Sequence, residues 1–189
     1  MTKVFLLNGP ASSGKDTLAA YIKGINSTFD IDKMAYPLKL ANKVLFSLTD
    51  EEFRIFDTDP KVKNTPQDRF FGKSWRQVNI DLSEKFIKTN YDMSFFGKSL
   101  VSRLKNNPKK RILVPDSGFL DETLPLIDAF GAKNVHLIQL HREGFTFEGD
   151  SRAYIDLSEY GVKTHHLHND ILMKFEKDGE RLIYSLTYD

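Results

Sequence analysis

The segment Asn8-Gly9-Pro10-Ala11-Ser12-Ser13-Gly14-Lys15-Asp16-Thr17 constrains this chain more than any other. It follows a continuous apolar run, Val4 to Leu7, and precedes Leu18, Ala19, Tyr21, Ile22 and Ile25 at helical spacing. A short apolar run bounded by turn residues suits a strand buried on both faces, and the 3.6-residue period suits a helix. Strand, glycine-containing loop, helix is the opening of an α/β fold. From Gly9 onward the loop nearly matches G-x-x-x-x-G-K-[ST], and it stands in the strand-to-helix context that this pattern needs. Glycines let backbone wrap closely around phosphate with N–H groups pointing inward, and the helix N-terminus adds partial positive charge. Lys15 can reach the β- and γ-phosphates as a point charge. Ala11, Ser12, Ser13, Gly14, Lys15, Asp16 and Thr17 are therefore expected to hold a nucleotide's phosphates. A Gly-Ser turn with no ligand is the bland alternative. Asp16 stands where the pattern has a Mg²⁺-binding Ser or Thr. Either Thr17 takes that role after a small shift, or Asp16 holds the metal through water.

The remaining pattern continues the α/β reading. A second strand is expected over Phe29 to Ala35. A helix follows from Pro37, with Leu38, Ala41, Val44, Leu45 and Leu48 on its period. Asp50 to Phe56 reads as a short helix, and Asp57 to Gly72, with Pro60 and Pro66, as a polar loop. Ser74 can cap a helix carrying Trp75, Val78, Leu82 and Phe86 on one face. Another helix covers Phe95 to Leu104. Strands return at Arg111 to Pro115, Val135 to Leu140 and Val162 to His168, with a helical crossover over Leu120 to Phe130. Ile171 to Phe175 and Leu182 to Leu186 flank Lys177-Asp178-Gly179-Glu180, which reads as a C-terminal β-hairpin. At 189 residues the length argues for one domain.

Charge narrows the partners. Lys plus Arg number 27 against 26 Asp plus Glu, for a net charge of +1. That balance argues against a dominant electrostatic grip on nucleic acid or a membrane. The local basic run Lys105, Lys109, Lys110 and Arg111 reads as a solvated loop. With no cysteine there is no disulfide, thiolate nucleophile or Cys-based zinc site. The N-terminus lacks the pattern of a signal peptide, and no stretch approaches the roughly 20 apolar residues of a membrane span. A cytoplasmic protein is expected. Nothing in the pattern decides between a monomer and a homodimer.

Two further signals sit at expected strand ends. Asp116 follows Ile112-Leu113-Val114, where a carboxylate can hold Mg²⁺ or its water, and where Asp also commonly caps a helix. Arg142 and Arg152 bracket a glycine-containing segment that could close over phosphates and exclude water. The bland alternative is a solvated loop with weak surface ion pairs. His166 and His168 share one face of a strand while His165 points away. A typical zinc site needs three or four protein ligands, so a strand-end histidine near the site is the preferred reading of this cluster.

Gly-Pro-Ala-Ser-Ser-Gly-Lys-Asp-Thr, Tyr36-Pro37-Leu38-Lys39, Trp75-Arg76-Gln77-Val78 and Asp116-Ser117-Gly118-Phe119 together resemble the deoxynucleoside monophosphate kinases of bacteriophages, within the wider P-loop nucleoside monophosphate kinase group. The resemblance runs from about Val4 to Asn169. It implies a three-layer α/β sandwich with a mainly parallel five-stranded sheet. It also implies a helical monophosphate-binding insert over about 37–104, a short lid over about 142–153, and ATP and Mg²⁺ as ligands. Lys39 and Arg76 would face the acceptor phosphate, and Arg142 and Arg152 would be the lid arginines. Related kinases often carry Arg two residues after the strand-end Asp, where this chain has Gly118. Many relatives also end in a helix.

The implied reaction is ATP + dNMP = ADP + dNDP. A phosphate monoester has a second pKa near ~6 and is largely dianionic at neutral pH, so no general base is needed. The task is to neutralise two polyanions and hold them in line. Lys15, Lys39, Arg76, Arg142, Arg152 and Mg²⁺, with Asp116 near the metal, answer it. Arg69, Gln77 and Asp81 are further candidates for phosphate, base or sugar. Gln77 and Asp81 share a helix side and are expected to act together. Tyr36, Phe70, Phe71, Phe95 and Phe96 could stack on a base, although core packing is the commoner role. Two other functions fit the same pattern: a kinase acting on a modified base in DNA, and a non-metabolic ATP-binding or ATPase protein.

Overall fold

The computed structural model describes residues 1–107 and 110–188. Lys109 of the basic run lies outside the described residues. The chain divides into two compact units, Met1–Met34 with Phe96–Asp189, and Ala35–Phe95.

The first unit is built on five parallel strands: β1 (Lys3–Asn8), β2 (Phe29–Ile31), β3 (Arg111–Ser117), β4 (Val135–His141) and β5 (Thr164–His168). Their order is β2-β3-β1-β4-β5, and every neighbouring pair runs parallel. The central strand is apolar on both sides because both faces are covered. Phe5 and Leu7 point to one face, with Leu113, Ile138, Leu140 and Leu167. There they meet Leu18, Ala19 and Ile22 of helix α1 (Lys15–Ile25) and residues of the C-terminal helix. Val4, Leu6, Ile112 and Val114 alternate onto the opposite face and are equally buried. Helices on both faces of a parallel sheet are consistent with a three-layer, P-loop-like arrangement.

The second unit holds helices α2 (Tyr36–Leu45), α3 (Asp50–Thr58) and α4 (Pro60–Asn64). A helical run follows, from α5 (Trp75–Ile80) through a π-helical stretch (Asp81–Ile87) into α6 (Lys88–Asn90). Leu48, Phe56, Phe70, Trp75 and Val78 form its core. The Phe56 and Phe70 rings meet edge-on at 5.0 Å. Thr49 and Glu52 form a reciprocal capping box at the start of α3. Ser74 caps α5 by accepting from the Gln77 amide, as its sequence position implies.

The first unit resumes from Phe96, with the rest of α7 (Phe95–Asn106) and α8 (Leu120–Phe130). The last helix, α9, is Leu172–Tyr188, and it corrects the hairpin expectation. Phe175, Ile183 and Leu186 enter the core at helical spacing. Gly179, read as a turn residue, is there for close approach: a Cβ on it would lie 2.5 Å from Leu18 Cδ1. Lys177–Glu180 and Arg181–Asp178 are helix-surface pairs at i, i+3.

Two smaller differences have local causes. The expected loop 57–72 contains α4 because Asp59 accepts the Lys61 and Val62 amides, with Pro60 in the first helical position. β2 stops at Ile31; the Asp32 amide makes the last bond to β3, to Leu113 O at 3.1 Å, and the chain then turns away. Asp32 takes a forked contact from Arg103, and the Met34 amide donates to Asp116. Pro125 lies inside α8, where the Thr123 hydroxyl donates back to the Leu120 carbonyl. No helix among the described residues is long and apolar enough to cross a membrane.

Candidate functional site

The sheet order reverses direction at β1. The chain moves outward on one side through α1 to β2, and later on the other side through α8 to β4. In open α/β sheets ligands bind outside the carboxyl ends of strands at such a point. The loop after β1 emerges there. Ser12 (φ 62°) and Gly14 (φ 105°) are both left-handed, so the backbone curls before α1 begins. Gly14 also has no room for a side chain: a Cβ would lie 2.6 Å from Asn169 Nδ2.

Lys15 is curled into this loop. Its Nζ donates to the carbonyls of Gly9 at 2.6 Å and Pro10 at 2.5 Å. Lys15 is only 6% exposed. Burial first, then the Arg152 charge, brings its pKa down to about 8, and Asp16, Asp150 and Asp116 oppose that fall. A cation is thus held, partly desolvated, against the carbonyl oxygens of its own loop.

The other candidates of this unit gather around it. Arg142 Nη1 donates to the Ser12 carbonyl at 2.9 Å. Arg152 is forked onto Asp150, with Nε–Oδ1 at 2.9 Å and Nη2–Oδ2 at 2.6 Å. That bond raises the Arg152 pKa further. Asp116 lies in β3 and accepts the Met34 amide at 3.0 Å. It does not cap α8, whose N-cap residue is Phe119. Asp16 is 70% exposed at its side chain and pairs with Lys33 at 2.6 Å. Thr17 lies exposed in the first turn of α1. Ala11 and Ser12 are exposed, and Ser13 is buried.

The acceptor-side candidates lie in the Ala35–Phe95 unit. Lys39 pairs with Asp57 at 2.6 Å, and Arg69 with Glu52 at 2.6 Å. Gln77 donates to Asp81 at 3.0 Å, the i, i+4 contact expected of them. Asp81 also receives Lys73 and Lys85, which hold its carboxyl well below the usual range. Arg76 is half-buried on α5. Phe70 and Phe96 are core residues, whereas Phe71 is left-handed and 88% exposed.

Several site residues escape a reading of the sequence alone. Asn8 is fully buried at the end of β1, and its amide bridges Ser117, Ala153 and Ile155. Asn169 donates to the Ser13 carbonyl. Asp150 clamps Arg152. Asn8 and Asn169 share one signal, a position at or just past a strand end, whereas Asp150, nine residues beyond β4, carries none. His141 Nε2 lies 3.0 Å from His166 Nδ1, and the His168 ring stacks on His141 at 5.2 Å. His166 and His168 therefore share a face. Burial and these two neighbours lower the His141 pKa. A cavity of about 530 Å³ opens here, lined by His141, Arg142, Phe145, Tyr154, His168 and Asp170 among others.

Among the described residues no group of three or more His, Asp or Glu side chains is arranged to hold a metal ion. Mg²⁺ asks for less: one or two carboxylate or hydroxyl ligands, with water and substrate phosphates completing the shell. Asp16, Thr17 and Asp116 are hard oxygen donors of that kind, and Asp16 and Asp116 are close enough to act on the Lys15 charge.

No family model matches the chain, and no curated protein matches it.

Proposed function

We propose that the chain is a phosphotransferase whose glycine-containing loop binds the polyphosphate of ATP. More particularly, it is a kinase that passes the γ-phosphoryl group to a deoxynucleoside 5′-monophosphate, giving ADP and the diphosphate. The observation that carries the reading is Lys15, buried within a left-handed loop at the carboxyl edge of a parallel sheet, with Arg142 and Arg152 beside the same loop. Two arginines and one lysine around a nest of amides suit a polyanion.

The chemistry needs position and charge. The Lys15 ammonium would leave the Gly9 and Pro10 carbonyls for the β- and γ-phosphates. Arg142 and Arg152 would neutralise charge as the phosphoryl group moves. Asp116, with Asp16 or Thr17, would hold Mg²⁺, which supplies further neutralisation of the phosphate oxygens. The cavity beside Arg142 has the volume and mixed lining that a flat aromatic base requires. Residues 37–104 would serve as the monophosphate-binding insert and 142–153 as the lid. Lys39 and Arg76 would take the acceptor phosphate, Lys39 exchanging its Asp57 partner, while Arg69, Gln77 and Asp81 would meet sugar or base.

The test is ADP formation from ATP and Mg²⁺, alone, with each deoxynucleoside monophosphate, and with DNA. Strong stimulation by a monophosphate is the expected result. Stimulation by DNA instead would indicate a base kinase. Equal slow turnover in all three would indicate an ATPase and overturn the reading.

A further inference from the structure

We propose that Arg152 is set in place by a fixed strap, residues 152–157, sutured across three strand ends, and that Asn8 is the positioning residue of that suture. The placement of Arg152 in a mobile lid is thereby narrowed: any closing movement belongs to residues 142–149, outside the strap and its Asp150 clamp.

The sutures are specific. The Asn8 amide donates to Ala153 O at 3.0 Å and to Ser117 O at 3.1 Å, while its Oδ1 accepts the Ile155 amide at 3.0 Å. Gln139, on neighbouring β4, donates to Ile155 O at 2.9 Å. The Tyr154 hydroxyl donates to Leu140 O at 2.9 Å. The Ala153 amide meets Gly118 O at 3.4 Å. Thus β3, β1 and β4 each hold the strap, and Ile155 and Leu157 anchor it in the core. Buried polar groups bonded at every valence rigidify what they join.

Gly118 supplies the space. A Cβ there would lie 2.6 Å from Arg152 Cδ and 2.7 Å from Cγ, so the arginine stem lies directly over this glycine. Asp150 then fixes the guanidinium from the other side. The Arg152 charge bears on Lys15 across this short span. An arginine held in place on a fixed strap, despite its repulsion of Lys15, leaves little reorganisation of that group when a polyphosphate arrives.

The experiment uses the full chain with inorganic tripolyphosphate as probe. Affinity is read by calorimetry and the Ile155 amide by hydrogen exchange. Asn8→Ala is expected to speed Ile155 exchange and to weaken tripolyphosphate binding about tenfold, as misplacement of a contact group does. Arg152→Ala should weaken it comparably, and the double variant no further. Gly118→Ala should weaken binding while Ile155 stays protected, which separates placement of the arginine from integrity of the strap; it also decides the matter if Asn8→Ala fails to fold. Unchanged Ile155 protection in Asn8→Ala, losses that multiply in the double variants, or no tripolyphosphate binding by the unaltered chain would each overturn the proposal. The inference rests on the phosphate-site part of the function above. Failure of phosphoryl transfer shows separately, as absence of turnover with every monophosphate while the exchange and affinity results stand.

Discussion

At the scale of single residues, the site trades stability for charge. Lys15 carries a pKa of about 8 in the folded chain against an ordinary 10.5. Between those values the unfolded chain binds the extra proton, so stability climbs as pH rises from 8 toward 10.5. Below pH 8 both states are charged, and the cost of burial and of the Arg152 charge, about 3 kcal/mol, is felt in full. Lys15→Met should therefore stabilise the protein at pH 7, and lose that advantage near pH 10, in denaturant titrations. The same substitution should abolish turnover, and in the unaltered protein kcat/KM for ATP should fall above about pH 8 as the ammonium loses its proton. A Lys15→Met variant less stable at pH 7 would mean that the Gly9 and Pro10 contacts outweigh burial. The positions of the loop, Asp116 and Arg142 at strand ends were legible, because each follows an apolar run in the sequence. Asn8 and Gly118 were not, since their roles are contacts with residues 34 to 147 positions away.

At the scale of elements, glycine carried two opposite meanings. Gly14 has the positive φ of a loop, whereas Gly97 and Gly179 sit inside helices where packing forbids a side chain. A Cβ on Gly97 would lie 2.0 Å from the Glu122 carbonyl oxygen and 2.8 Å from its carbon, so α7 and α8 touch backbone to backbone. Gly97→Ala would gain about 1 kcal/mol in helix propensity. It would lose more through overpacking against a backbone that has little freedom to move, and a net destabilisation of about 1–3 kcal/mol is expected in chemical denaturation. A neutral or stabilised variant would mean that the helices can separate at no cost. The C-terminal helix shows why the two meanings diverge: Lys177-Asp178-Gly179-Glu180 has turn composition, but Phe175, Ile183 and Leu186 keep the helical period. The short α4 was likewise legible in Asp59-Pro60, an N-cap followed by proline, beneath a polar composition that suggested a loop.

At the scale of the whole molecule, a chain with net charge +1 is expected to bind through a local cluster of cations. Saturating MgATP should raise the melting temperature, by the equivalent of about 2.7 kcal/mol at a hundredfold excess over Kd. Duplex DNA at physiological salt should leave it unchanged. The reverse pattern would favour a nucleic-acid acceptor. Local order is what the sequence determined by itself: apolar runs and helical periods fixed four strands closely and the fifth in part, with most helices. The strand–loop–helix opening placed the 9–17 segment, because these depend on neighbours within a turn or two of chain. Tertiary structure alone decided the β2-β3-β1-β4-β5 order, the burial of Lys15 beside Arg152, and the strap that sets the arginine. Those arise where strand ends from distant parts of the chain converge, and a hydrogen bond between Asn8 and Ile155 leaves no periodic trace in the residues between them.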